Sequence, residues 1–178
     1  MSNDIRPGTI WLTGLSASGK TTLGARLKTE LERAGVERVV FLDGEEARKS
    51  IGRRYGYSTE ERSAWALDIA RLAAEWNSRG YVVIVAAITH VSRTRAAIRA
   101  MLGRYFEVYL RCPVEVCADR DYKGHYSKAF AGEYENFIGV TEPYQEFGQH
   151  DLVLDTDKID VDACAPLLAD HTSRFLKE

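Results

Sequence analysis

Charge of either sign is scarce in excess here. The 24 Lys and Arg nearly balance the 26 Asp and Glu, leaving a formal charge of −2 over 178 residues. No broad basic field exists to draw in nucleic acid, so any anion site is local. Cysteine is sparse too. Cys112, Cys117 and Cys164 form neither a metal-binding spacing nor a disulfide framework; they suit a reducing cytoplasm, with Cys112 and Cys117 read as core fillers. No apolar run approaches the roughly 20 residues that cross a bilayer, and Met1 to Pro7 lack the apolar segment of a signal peptide. A cytoplasmic protein with no membrane and no nucleic-acid partner is the expectation. Internal repeats and low-complexity linkers are missing as well, so residues 1–178 read as one domain. So is an Asn-Lys-x-Asp motif, which excludes the usual guanine-reading switch.

What is present is concentrated between Gly14 and Thr21. Gly14-Leu15-Ser16-Ala17-Ser18-Gly19-Lys20-Thr21 is a complete G-x-x-x-x-G-K-[ST] phosphate loop. Thr9 to Thr13 before it is β-branched and apolar, a buried strand. After it, Thr22 to Leu31 places Leu23, Leu27 and Leu31 on one helical stripe. Small loop residues let backbone N–H groups curl round phosphate oxygens at a helix's positive end. Lys20 reaches the β- and γ-phosphates, and the Thr21 hydroxyl suits Mg²⁺.

The rest alternates strand with helix. Strands are expected at 38–43, 81–88, 106–112 and 152–156. Helices are expected at 60–79, 92–102, 113–120 and 159–177, the last with Val161, Cys164, Leu167, Leu168 and Phe175 inward. This is an α/β three-layer P-loop NTPase fold, a five-stranded parallel sheet flanked by helices. Residues 122–149 break the rhythm and show no sustained period. Five aromatics (Tyr126, Phe130, Tyr134, Phe137, Tyr144) argue against disorder, and the segment reads as a lid inserted before the last strand. A small domain with such a lid suits a kinase, which must keep water from its transferable phosphate. Asp43, at the carboxyl end of the second strand, has two readings that stay open. It could accept a proton or hold Mg²⁺ through water, or it could cap the next helix.

A longer chain of motifs is far more specific. Trp11 to Ser16 runs into the loop, and Phe41-Leu42-Asp43-Gly44 is followed by Arg48. Next come Gly56-Tyr57-Ser58, Glu61-Arg62, Ile88-Thr89 and Arg120-Asp121-Tyr122-Lys123-Gly124. Tyr126, Lys128-Ala129, Ala131-Gly132-Glu133, Phe137, Pro143-Tyr144 and Leu152 to Thr156 complete it. Together these resemble the adenylylsulfate kinase family over nearly the whole chain. The resemblance implies transfer of the γ-phosphate of MgATP to the 3′-hydroxyl of adenylylsulfate, usually by a homodimer.

It also implies roles. Asp43 is the base near the 3′-hydroxyl, and Lys20 is the other catalytic residue. Gly14, Leu15, Ser16, Ala17, Ser18, Gly19, Lys20, Thr21 and Thr22, with Arg120 and Thr156, hold ATP. Thr21, and Asp43 through water, serve Mg²⁺. Arg48 and Arg62 hold the acceptor's anionic end, Tyr57 and Phe137 sandwich its adenine, Ile88 and Thr89 offer backbone groups, and Lys123 and Lys128 reach in from the lid.

The chain departs from the family pattern mostly on the acceptor side. Glu45 stands for Asp, Trp65 for Asn, and Leu67 and Asp68 for two arginines. His90 stands for Pro and His125 for Leu; each also reads as a plain surface histidine. Phe137 to Thr141 also differs from the usual Phe-Thr-Gly-Ile-Asp. The departures leave two further readings: a kinase acting on another nucleotide conjugate, such as a cytidine diphosphoramidate of surface-polysaccharide synthesis, or a non-catalytic nucleotide-binding module. Intact Lys20, Thr21, Asp43 and Arg120 oppose the module.

Overall fold

Alternating β-branched runs and leucine stripes build a three-layer sandwich. The computed structural model describes residues 5–50 and 55–178. Residues 1–4, part of the stretch read above for a signal peptide, lie outside it. Strands β1 (Thr9–Thr13), β2 (Val39–Asp43), β3 (Val82–Ala86), β4 (Tyr105–Arg111) and β5 (Leu152–Asp155) lie in the order β2-β3-β1-β4-β5. All their pairings are parallel. The intervening helices are α1 (Lys20–Arg33), α2 (Gly44–Ser50), α3 (Thr59–Ser78), α4 (Ser92–Leu102), α5 (Val114–Asp119), α6 (His125–Phe130) and α7 (Val161–Lys177).

Side chains alternate across a strand, so β1 feeds both faces of the sheet. Ile10 and Leu12 join Leu23, Leu27 and Leu31 of α1 and Leu168 and Leu176 of α7. Trp11 turns the other way, among Trp65, Ile69 and Ala73 of α3 and Ile98 of α4. β3 is buried at every position, as a central parallel strand must be. Gly24 marks a close helix–sheet approach: a Cβ there would lie 2.5 Å from the Phe41 ring.

Two expectations need correction. Leu167 was placed inside, but it is 48% exposed. The inner face of α7 steps Cys164, Leu168, Thr172, Leu176, four residues apart, and Leu167 falls a helical step to one side. The insert at 122–149 was read as having no sustained period, yet it carries the short helix α6 and a bridge between Ile138 and Glu142. Six residues are too few to display a helical stripe. The insert is also packed down: Tyr126 and Ile138 share a third core cluster with Leu15, Cys112 and Cys117. All three cysteines are buried and free, in keeping with the reading of Cys112 and Cys117 as core fillers. Among the described residues no helix is long and apolar enough to cross a membrane.

Candidate functional site

β1 ends beside β4, and the chain must turn sharply to enter α1. Gly14 does this at φ +144°, where a Cβ would lie 2.5 Å from the Leu110 carbonyl oxygen. Only glycine fits. Lys20, the first residue of α1, folds over the loop. Its ammonium donates to the Leu15 carbonyl and, at 3.4 Å, to Ser18 Oγ. Burial drives its pKa down from 10.5 to about 8, against an opposing pull that includes Asp43. Thr21 and Thr22 follow on the exposed side.

Of the two open readings of Asp43, the structure shows the cap. One oxygen, Oδ1, accepts from the N–H groups of Glu45 (3.0 Å) and Glu46 (3.2 Å), an N-cap for α2. The other, Oδ2, accepts from the Thr21 hydroxyl at 2.6 Å. The cap therefore aims the carboxylate: with one oxygen pinned, the second faces the phosphate loop. Thr21 and Asp43 together form a pair of hard oxygen donors, the type Mg²⁺ prefers.

On the ATP side, Arg120 donates to the Thr156 carbonyl at 2.7 Å, and the Thr156 hydroxyl donates to the Ser18 carbonyl at 3.0 Å. Thus Arg120, Thr156 and the loop form one connected unit.

Of the residues expected on the acceptor side, Arg48 and Arg62 meet at Tyr57, which is 60% exposed. Arg48 donates to the Gly56 carbonyl at 2.7 Å and sits 4.5 Å over the Tyr57 ring. Arg62 donates to the Tyr57 carbonyl and to the Asn136 carbonyl, both at 3.0 Å, and lies 5.1 Å from the same ring. Arg62 thereby ties the Tyr57 loop to the residue preceding Phe137. Neither arginine is a simple solvated helix charge. Phe137 stacks on Tyr134 (5.8 Å) and meets Tyr126 edge-on (4.9 Å). Lys123 pairs with Glu45 at 2.6 Å, so the lid lysine reaches the corner after Asp43. Lys128 is exposed on α6 with no ion pair among the described residues. Ile88 is half-buried. Thr89 is 2% exposed; its N–H donates to Thr13 Oγ1 and its carbonyl accepts from Arg95, so both backbone groups are already engaged.

Sequence reasoning missed two supports. Glu61 accepts from Gly56 N–H, Ser58 N–H and the Ser58 hydroxyl, and the Ser58 hydroxyl accepts from Glu61 N–H. This capping box, worth about 1 kcal/mol, holds the loop that carries Tyr57. Its S-x-x-E signal was in plain view. Glu142 accepts from the Thr59 hydroxyl at 3.0 Å, docking the lid turn on the start of α3; no local pattern announces that.

The departures also find places. Trp65 is buried behind the site, its ring 5.5 Å from the Arg48 guanidinium and its Nε1 without an acceptor among the described residues. Leu67 packs against the same cluster. Asp68 accepts from the Tyr55 hydroxyl and from Arg71. His125 Nδ1 lies 3.1 Å from the Tyr134 hydroxyl.

The surface reading of His90 is wrong: it is 2% exposed, with Nε2 3.8 Å from Glu142 Oε1. Burial, then Arg62 and Arg95, hold its pKa below 6.5 against the pull of Glu142. A lowered histidine stabilises the fold while both states are neutral. As pH falls below 6.5, the unfolded chain takes a proton the folded chain resists, and stability is lost. His90→Gln should therefore lose less Tm than the wild type between pH 7 and pH 5.5. Parallel melting curves for the two proteins would contradict the assigned direction.

The family model described as adenylylsulphate kinase matches residues 6–155. The adenylyl-sulfate kinase of Paraburkholderia xenovorans is 37% identical over 167 residues, 93% of each chain. That of Deinococcus deserti is 38% identical over 162 residues, 91% of this chain and 89% of the relative. Among solved structures, the Mycobacterium tuberculosis APS kinase in complex with AMPPNP and APS superposes with a TM-score of 0.87 at 32% identity, covering 94% of this chain and 98% of that one. With a phosphate loop facing a capped carboxylate, and this likeness over nearly the full length, the chain belongs to the adenylylsulphate kinase family.

Proposed function

We propose that this chain transfers the γ-phosphate of ATP to the 3′-hydroxyl of adenylylsulfate, giving ADP and 3′-phosphoadenylylsulfate. The observation that carries the reading is the Asp43 carboxylate, 2.6 Å from Thr21 and pinned by the α2 amides. It meets the phosphate loop through Thr21 and caps α2, the helix that carries Arg48 to the Tyr57 ring.

In this reading the cradle residues Gly14 to Thr22, with Arg120 and Thr156, hold ATP, and Lys20 neutralises charge on the transferring phosphoryl group. Asp43 Oδ2 takes the proton of the 3′-hydroxyl as its oxygen bonds to the γ-phosphorus and the bond to the β-phosphate oxygen breaks. Tyr57 and Phe137 offer aromatic faces to the adenine. Arg48 and Arg62 match the acceptor's phosphate and sulfate oxygens, with Lys123 and Lys128 adding lid charge and Ile88 and Thr89 lining the pocket. Thr21, and Asp43 through water, would hold Mg²⁺, which would supply positive charge to offset that of the phosphates. The lid excludes water from the phosphoryl group. One kinase domain with a lid at 122–149, a cytoplasmic setting and a homodimer complete the proposal.

The test is coupled ADP release with adenylylsulfate beside cytidine conjugates. Turnover with adenylylsulfate is the expected outcome. Turnover with a cytidine conjugate alone would transfer the acceptor assignment, and ATP binding with no turnover on any acceptor would end the kinase reading.

A further inference from the structure

The phosphate loop contains a backbone conformation its own residue does not favour. Ala17 has φ +59°, the left-handed region, and is the sole non-glycine residue at positive φ among those described. Such a conformation costs an L-residue about 1–2 kcal/mol and persists when the surroundings impose it.

Two hydroxyls from elsewhere in the chain flank it. The Ser16 carbonyl accepts from the Tyr126 hydroxyl at 3.0 Å, and the Ser18 carbonyl accepts from the Thr156 hydroxyl at 3.0 Å. A trans peptide directs its C=O and N–H to opposite sides. Drawing the Ser16 carbonyl toward α6 therefore turns the Ala17 N–H the other way, and the Thr156 bond does the same for the Gly19 N–H. Neither N–H has an acceptor within the chain among the described residues.

We propose that Tyr126 is a positioning residue for the nucleotide: its hydroxyl orients the Ala17 amide so that a phosphate oxygen of ATP can accept from it. The residue is well placed to do so. It is 1% exposed, and its N–H donates to Asp121 Oδ2 at 2.7 Å. Its ring meets Phe137 edge-on at 4.9 Å. One lid side chain therefore touches both the phosphate loop and the aromatic proposed to hold the acceptor, coupling lid position to loop geometry. The inference rests on the ATP half of the proposed function and is independent of which acceptor is used.

Tyr126→Phe keeps the ring and removes only the hydroxyl. Calorimetric affinity for a non-hydrolysable ATP analogue, steady-state KM for each substrate and Tm decide the matter. We expect analogue affinity and KM for ATP to weaken about tenfold, the scale of one lost buried hydrogen bond. KM for the acceptor should stay within about twofold, and the amide resonances of Ala17 and its neighbours should shift in the free protein. Calorimetric stoichiometry counts folded molecules, so the affinity survives partial loss of fold. Thr156→Val should weaken the analogue similarly through Gly19. Unchanged affinity in the Phe variant would overturn the proposal, and so would equal rises in both KM values alongside a lowered Tm, the mark of a purely structural role. If the wild type used a different acceptor, these readings would stand; if it bound no ATP analogue, the cradle assignment would fall and this inference with it.

Discussion

Lys20→Ala lowers turnover by at least about a hundredfold, the usual effect of removing a group aimed at developing charge in a preorganised site. The fold should survive the change. Burial takes the Lys20 pKa from 10.5 to about 8, a cost of about 3 kcal/mol to the folded state at neutral pH. Alanine removes that cost but forfeits burial of the aliphatic stem, worth about 0.8 kcal/mol per methylene. The two nearly offset, so Tm at pH 7 should stay within about five degrees of wild type. A pH signature accompanies this. Between pH 8 and 10.5 the folded wild type sheds a proton that the unfolded chain still holds, so wild-type stability rises relative to the variant across that window. Kinetics and melting curves on the same preparation check both halves. A variant with wild-type turnover would place the phosphate chemistry elsewhere.

Asp43→Asn separates two roles that the geometry combines. Asparagine is as good an N-cap as aspartate and can still accept from the Glu45 and Glu46 amides, now at 3.0 and 3.2 Å. The corner of β2 and α2 should therefore hold. What disappears is the negative charge beside Thr21. If Asp43 takes the acceptor's proton, kcat should fall by about a hundred- to ten-thousandfold, with KM for ATP changed less than about threefold. A rise in KM for ATP at nearly constant kcat would make Asp43 a binding group, acting through the metal.

The cradle was legible because its message is local. Two glycines, a lysine and a threonine at fixed offsets, between a β-branched strand and a leucine-striped helix, specify strand, turn and helix together. The alternation of such segments specified the parallel sheet in the same way. Even Asp43 was legible up to a choice, of which the structure shows the cap, one carboxylate oxygen holding the α2 amides while the other accepts from Thr21.

Other features were out of reach of local pattern. Thr59 meets Glu142 across 83 positions, Arg62 meets Asn136 across 74, and Tyr126 meets Ser16 across 110. His90 carries the same imidazole wherever it lies, and burial, with Arg62 and Arg95 close by, depresses its proton affinity against the opposing pull of Glu142. Residue order over a few turns settles backbone conformation and the identity of the phosphate loop, because those depend on sterics and periodicity between near neighbours. The attachment of the lid, the convergence on Tyr57 and the outward pull on the Ser16 carbonyl were settled only by folding, because distant segments must meet before their hydroxyls, guanidinium groups and carbonyls can satisfy one another.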